Sequence, residues 1–146
     1  MGYNMSFYQT ILVAIDLNED ADRVIQKAHE IGLQGNATLT LIHVTEPLSY
    51  AYGGDIPMDL SEVQKQLHEQ AKLRMSELVN QHKLRAVNQL LVSGHIQTEV
   101  HRVANELSTD LVVVGSHGRH GLALLLGSTS NGILHGAKCD VLAVRV

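Results

Sequence analysis

The chain has 146 residues, 45% of them hydrophobic and 18% charged, with 11 Lys and Arg against 15 Asp and Glu for a formal charge of −4. That balance describes one globular domain over 1–146 and excludes both disorder and a nucleic-acid partner, which needs clustered basic side chains. A lone Cys139 rules out an internal disulfide, and no run of about 18 apolar residues offers a membrane helix. MGYNMSFYQT also lacks the make-up of a secretory leader, so a cytoplasmic protein is expected.

Taken in chain order, Thr10 to Leu17 (TILVAIDL) is an apolar, β-branched run and reads as a buried strand. A helix follows over 18–36, capped by Asn18 or Asp20, with Val24, Ile25, Ala28 and Ile31 on one face and Gly35-Asn36 as its stop. Ala37 to Thr45 is the second strand. Residues 46–58 hold both prolines and Gly53-Gly54, and form the longest irregular stretch, a flexible edge or lid. From Asp59 to His82 the spacing predicts a long helix capped by Asp59 or Ser61, with Val63, Leu67 and Leu78 in its apolar stripe.

Val87 to Gly94 is the third strand. Val100, Val103, Ala104 and Leu107 give a helix over 97–107. Asp110 to Gly115 is nearly continuous in apolar residues, as a central strand should be. A short helix over STSNGILHGA, 128–137, and a last strand over Asp140 to Val146 complete the chain. Strands and helices alternating at this length mean an α/β domain with a parallel, doubly wound sheet and right-handed crossovers. Aromatics make up 3%, so its core is built from Val, Leu, Ile and Ala.

In such a sheet, ligands bind beyond the carboxyl ends of the strands. Only the fourth strand runs into glycine-rich sequence there, GSHGRHGLALLLGSTSN from Gly115 to Asn131. Gly115 and Gly118 allow positive φ and close approach of a ligand to backbone. Gly127 precedes Ser128, Thr129 and Ser130 at the start of the last helix, where free N–H groups attract phosphate. Turn glycines followed by a serine cap explain the same pattern equally well. There is no G-K-[ST] of a Walker A loop, and DLNED after the first strand lacks the dinucleotide glycines. His43 reads as a satisfied, partly buried imidazole and Cys139 as a small hydrophobe. His117 and His120 lack a carboxylate or Cys at zinc-site spacing, so a structural or surface role is expected. No nucleophile with an assigned base stands out, and no catalytic residue is assigned.

ILVAID in the first strand, IHV in the second, GSHGRHG and LLGS after the fourth, and the closing DVLAV resemble the universal stress proteins over essentially the whole chain. The resemblance implies a Rossmann-like fold of the adenine nucleotide alpha hydrolase type, with strand order 3-2-1-4-5. It also implies a homodimer paired through the last strands. Nucleotide-binding members carry G-x2-G-x9-G-[ST]; here eight residues, Arg119 to Leu126, separate Gly118 from Gly127, one fewer. By matching position, Asp16 would meet the ribose or adenine side, Ala14 and Ile15 would line the base pocket, and Val44 backbone groups would read the adenine edge. Gly115, Gly118, Gly127, Ser128 and Thr129 would surround ribose and phosphates. Ser116, His117 and Arg119 lie in the covering loop, with Arg119 as a phosphate contact. The implied ligand is ATP or AMP, with or without magnesium. Its implied use is a stress-response binding module with slow or absent hydrolysis, acting through its dimer or a protein partner. A dimeric interaction protein that binds no nucleotide and a weak ATPase are the alternatives.

Overall fold

The computed structural model describes residues 6–47, 61–84, 87–116 and 128–146. Nine elements follow one another: β1 (Thr10–Ala14), α1 (Ala21–Gly35), β2 (Thr38–Thr45), α2 (Ser61–Gln81), β3 (Asn88–Ser93), α3 (Ile96–Glu106), β4 (Leu111–Gly115), α4 (Ser128–Gly136) and β5 (Asp140–Val144). The five strands form one sheet in the order β3-β2-β1-β4-β5, with every neighbouring pair parallel. Parallel strands are buried on both faces, which is why β1 and β4 read as nearly continuous apolar runs.

Two layers of core result from the alternation of side chains along each strand. Ile11, Val13, Leu39, Leu41, Leu111 and Val113 face α1 and α2, packing on Val24, Ile25, Ala28, Met75 and Leu78. Leu12, Ile42, Val44, Val112 and Val114 face α3 and α4, packing on Val100, Val103, Ala104 and Ile133. Neither layer depends on aromatic side chains.

Several boundaries and stripes differ from expectation. In α2 only Met75 and Leu78 are buried, while Val63 and Leu67 are 44% and 42% exposed. A helix of 21 residues is about 31 Å long, and its buried contacts are confined to its second half. Asp59 and residues 48–58 lie outside the described residues. The stop after α1 is made by Asn36, in the left-handed region at φ 52° and ψ 45°, while Gly35 is still helical. A side chain on Gly35 would run into Phe7 and the Tyr8 carbonyl, so glycine serves there for close approach. Lys83 and Ser108, after α2 and α3, take positive φ in the same way as Asn36.

At the amino end of the sheet the incoming chain is strapped down. The Asp110 carboxylate accepts Gln9 N–H at 2.8 Å and Thr10 N–H at 3.0 Å, and Asp110 N–H donates to Thr10 O at 3.0 Å. Tyr8 OH donates to Asp140 Oδ2 at 2.7 Å. That bond to a carboxylate, with burial second, holds the Tyr8 hydroxyl above its usual value near 10. These bonds join the start of β1 to the starts of β4 and β5.

Candidate functional site

The chain reverses direction across the sheet between β1 and β4: from β1 it crosses by α1 to β2 and then β3, and from β3 it crosses by α3 to β4. Beyond the carboxyl ends of strands at such a switch point the crossover helices diverge and leave a crevice. Here the crevice is a cleft open to solvent at the carboxyl end of the sheet. Ala14, Ile15, Asp16, Val44 and Gly115 line it, five of the residues expected there from sequence.

How β1 ends decides the shape of this cleft. The run TILVAIDL promised a strand to Leu17, but β1 stops at Ala14. Ile15 N–H still donates to Ile42 O at 3.0 Å. After that bond the strand leaves the ladder, and the Ile15 carbonyl instead accepts a hydrogen bond from the ring of His43, with Nδ1 at 2.8 Å. Since a carbonyl only accepts, Nδ1 carries the proton. His43 is buried, as expected, with 7% exposure. Asp16 is therefore carried off the strand end and onto the cleft wall, half-buried.

The same departure sets the direction of the Val44 backbone. Thr38 N–H donates to Gln9 O on the β1 side, and Ile42 O accepts from Ile15. Alternate residues of a strand turn their N–H and C=O to the same side, so Thr40 and Val44 face that side as well. Thr45 O, in contrast, accepts from Gly94 N–H on the β3 side. Val44 thus presents one donor and one acceptor toward the place β1 has vacated, with its side chain buried under α3.

Of the two reasons expected for glycine at 115, a positive φ is not one the structure uses. Gly94, after β3, is the positive-φ glycine among the described residues, at φ +153°. A Cβ on Gly115 would meet Val24 and Val146 at 3.4 and 3.5 Å, ordinary contact distances. The missing side chain keeps the cleft wall low between α1 and the end of β5. Ser116 is buried directly after β4, its N–H donating to Val144 O at 2.7 Å and its Oγ accepting Val146 N–H at 3.3 Å. Its Oγ thus braces the tail of β5 as an acceptor. Ser128 and Thr129 open α4. His117, Gly118, Arg119, His120 and Gly127 lie outside the described residues.

Sequence reading missed much of the lining, namely Asn18, Asp20, Ala21, Val24, Ile42, Ile96, Val100, Val114 and Val146. Asn18 and Asp20 had a signal, being polar residues beside a strand end, but capping explained them. Asn18 Oδ1 accepts Asp20 N–H at 3.0 Å, and Asp20 stands at the N-cap of α1 without a side-chain capping bond. Its carboxylate is thereby left to the cleft. Cys139 is half-buried on the α3–α4 face, where burial, then the charges of Asp140 and Asp110, push its thiol up. It behaves as the small hydrophobe expected.

Fold and cleft together define a doubly wound α/β protein with an open crevice between β1 and β4 at the switch point. The chain belongs to the universal stress protein family, whose family model matches residues 7–145. Universal stress protein A homolog 2 of Coxiella burnetii is 45% identical over 146 residues, covering 97% of this chain and 98% of that one. Universal stress protein UspA from Lactobacillus plantarum superposes with a TM-score of 0.80 at 22% identity, over 97% of this chain and 100% of its own. A universal stress protein solved in complex with cAMP superposes with a TM-score of 0.64 at 25% identity, over 95% and 98%. Among the described residues, no helix is long and apolar enough to cross a membrane.

Proposed function

We propose that this protein is a cytoplasmic, nucleotide-responsive binding module that takes ATP or AMP in the cleft between β1 and β4. The observation that carries this reading is the Val44 backbone, offering N–H and C=O side by side toward the cleft. Adenine presents a matching pair, a ring nitrogen that accepts and an exocyclic amine that donates. Guanine presents the reverse on that edge and would leave both Val44 groups unpaired, which a partly buried site penalises. A relative of the same fold holds cAMP, an adenine nucleotide.

Ala14, Ile15 and Ile42 would flank the base, and Asp16 would accept from the ribose hydroxyls. Phosphates would run toward Gly115 and the start of α4, where Ser128 and Thr129 stand and where unpaired helix N–H groups favour an anion. Gly118, Gly127 and the basic Arg119 belong to the same segment of sequence. Asp16 and Asp20 put negative charge on the cleft wall, so a di- or triphosphate would be favoured with magnesium, whose preferred ligands are carboxylate and phosphate oxygens. No side chain is assigned as a general base, in keeping with slow or absent hydrolysis. β5 is an edge strand whose outer backbone groups suit pairing with β5 of a second copy, supporting a homodimer.

Thermal unfolding with added nucleotide tests the reading. AMP at about 100 times its Kd should stabilise the protein by about 2.7 kcal/mol through mass action, and GMP at the same concentration should not. Gly115→Leu, which fills the cleft from its low wall, should abolish the AMP shift while leaving the protein folded. No shift with millimolar AMP or ATP overturns the proposal and leaves the dimeric interaction protein in its place.

A further inference from the structure

His43 is not among the residues lining the cleft and was read from sequence as a satisfied, partly buried imidazole. Its single described bond, from Nδ1 to the Ile15 carbonyl at 2.8 Å, falls at the one place where β1 and β2 part. Up to that point the ladder is regular: Ala14 is in register with Ile42, and Ile15 N–H reaches Ile42 O at 3.0 Å. In a parallel ladder the next bond is Val44 N–H to Ile15 O. It is not formed, and the carbonyl that would accept it is turned to the imidazole. Were the ladder to continue by that one bond, Val44 N–H would be consumed inside the sheet and the cleft would lose its only backbone donor from β2.

We infer that His43 is a positioning residue: by holding the Ile15 carbonyl it keeps Val44 N–H out of the β1–β2 ladder and available to a base in the cleft. The chemistry requires a donor on the side chain that is short, rigid and aimed across strands. Imidazole meets this with Nδ1, which lies two bonds from Cβ and cannot rotate away once the ring is packed. His43 is 7% exposed, so water does not compete freely for the carbonyl, and the bond has few alternatives. A leucine or phenylalanine here would pack as well but leave Ile15 O without its partner. The cheapest way to satisfy that carbonyl would then be the bond to Val44 that the native protein forgoes.

The inference rests on the proposed nucleotide site for its purpose but not for its structural content, so it is tested in two arms. Amide hydrogen exchange in the nucleotide-free protein reads the backbone directly. Val44 should exchange at least tenfold faster than Ile42, whose N–H lies within the ladder. His43→Phe, which keeps a ring and removes the donor, should slow Val44 exchange to the Ile42 range. His43→Asn, whose amide nitrogen occupies the position of Nδ1, should restore fast exchange. The second arm is titration with AMP: Kd should rise about tenfold in His43→Phe and return toward the native value in His43→Asn. Protection of Val44 in the native protein equal to that of Ile42 overturns the inference, as does unchanged Val44 exchange in His43→Phe. If His43→Phe fails to fold, native exchange and the His43→Asn variant decide alone. Loss of all AMP binding by the native chain, with the exchange pattern as stated, overturns the nucleotide reading and leaves the role of His43 in the backbone intact.

Discussion

β1 is treated in opposite ways at its two ends. At the amino end, two backbone donors are met by the carboxylate of Asp110, 100 residues away in sequence, and Tyr8 is tied to Asp140. At the carboxyl end, a bond the ladder could make is forgone, because His43 takes the carbonyl that would have made it. Side chains intervene in the backbone at both ends: Asp110 adds acceptors where strands begin, and His43 withdraws one where they finish. Tight backbone accounting at one end ties the strands together, and the gap at the other opens the cleft. Substitutions at the two ends should accordingly separate stability from binding.

The largest such effect is expected at Asp110. Asp110→Ala removes two hydrogen bonds to a charged acceptor, and urea unfolding should show a loss of about 2 kcal/mol. AMP affinity should stay within about twofold, since the cleft is at the far end of the strands. A parallel fall in affinity would mean that the two ends are coupled through β1. Ser108, in the turn that leads to Asp110, should act in the other direction. It holds φ 53° as a non-glycine residue, so Ser108→Gly should raise stability by up to about 1 kcal/mol in the same measurement, by relieving left-handed strain.

The smallest effect concerns pH and Tyr8. A hydroxyl whose folded value is raised above 10 contributes stability that is fully present below pH 10 and lost as pH climbs through the folded value. Tyr8→Phe should therefore be less stable than the native protein by a constant margin up to about pH 10. That margin should shrink above it, followed by denaturant midpoints across pH 8–11. A constant margin throughout would remove Tyr8–Asp140 from the amino-end strap.

Much of the fold was legible because it rests on local pattern. ILVA, TLIHV and DLVVV are β-branched runs that only a doubly buried strand uses well, and Val24, Ala28, Val100, Val103 and Ala104 recur at helical spacing. The same periodicity misled in α2, where Val63 and Leu67 repeat as core residues do but are exposed. Periodicity records which residues share a face, and length decides which turns of that face meet a sheet. Of the site, Ala14, Ile15, Asp16, Val44 and Gly115 were found through resemblance and the rule of strand ends. Ile96 and Val100 of α3 were not, because they reach the cleft only through a crossover.

The amino-acid sequence by itself determined the class of fold, the order of its elements and the family, because these follow from hydrophobic period and from motifs contiguous along the chain. Tertiary structure alone decided that β1 ends at Ala14, that Gly115 lowers a wall instead of turning the chain, and that Val44 faces an opening. Each of these depends on which backbone group on one strand lies opposite which on another. Such pairing arises from register across the sheet, a relation between residues far apart in the chain that no single segment encodes.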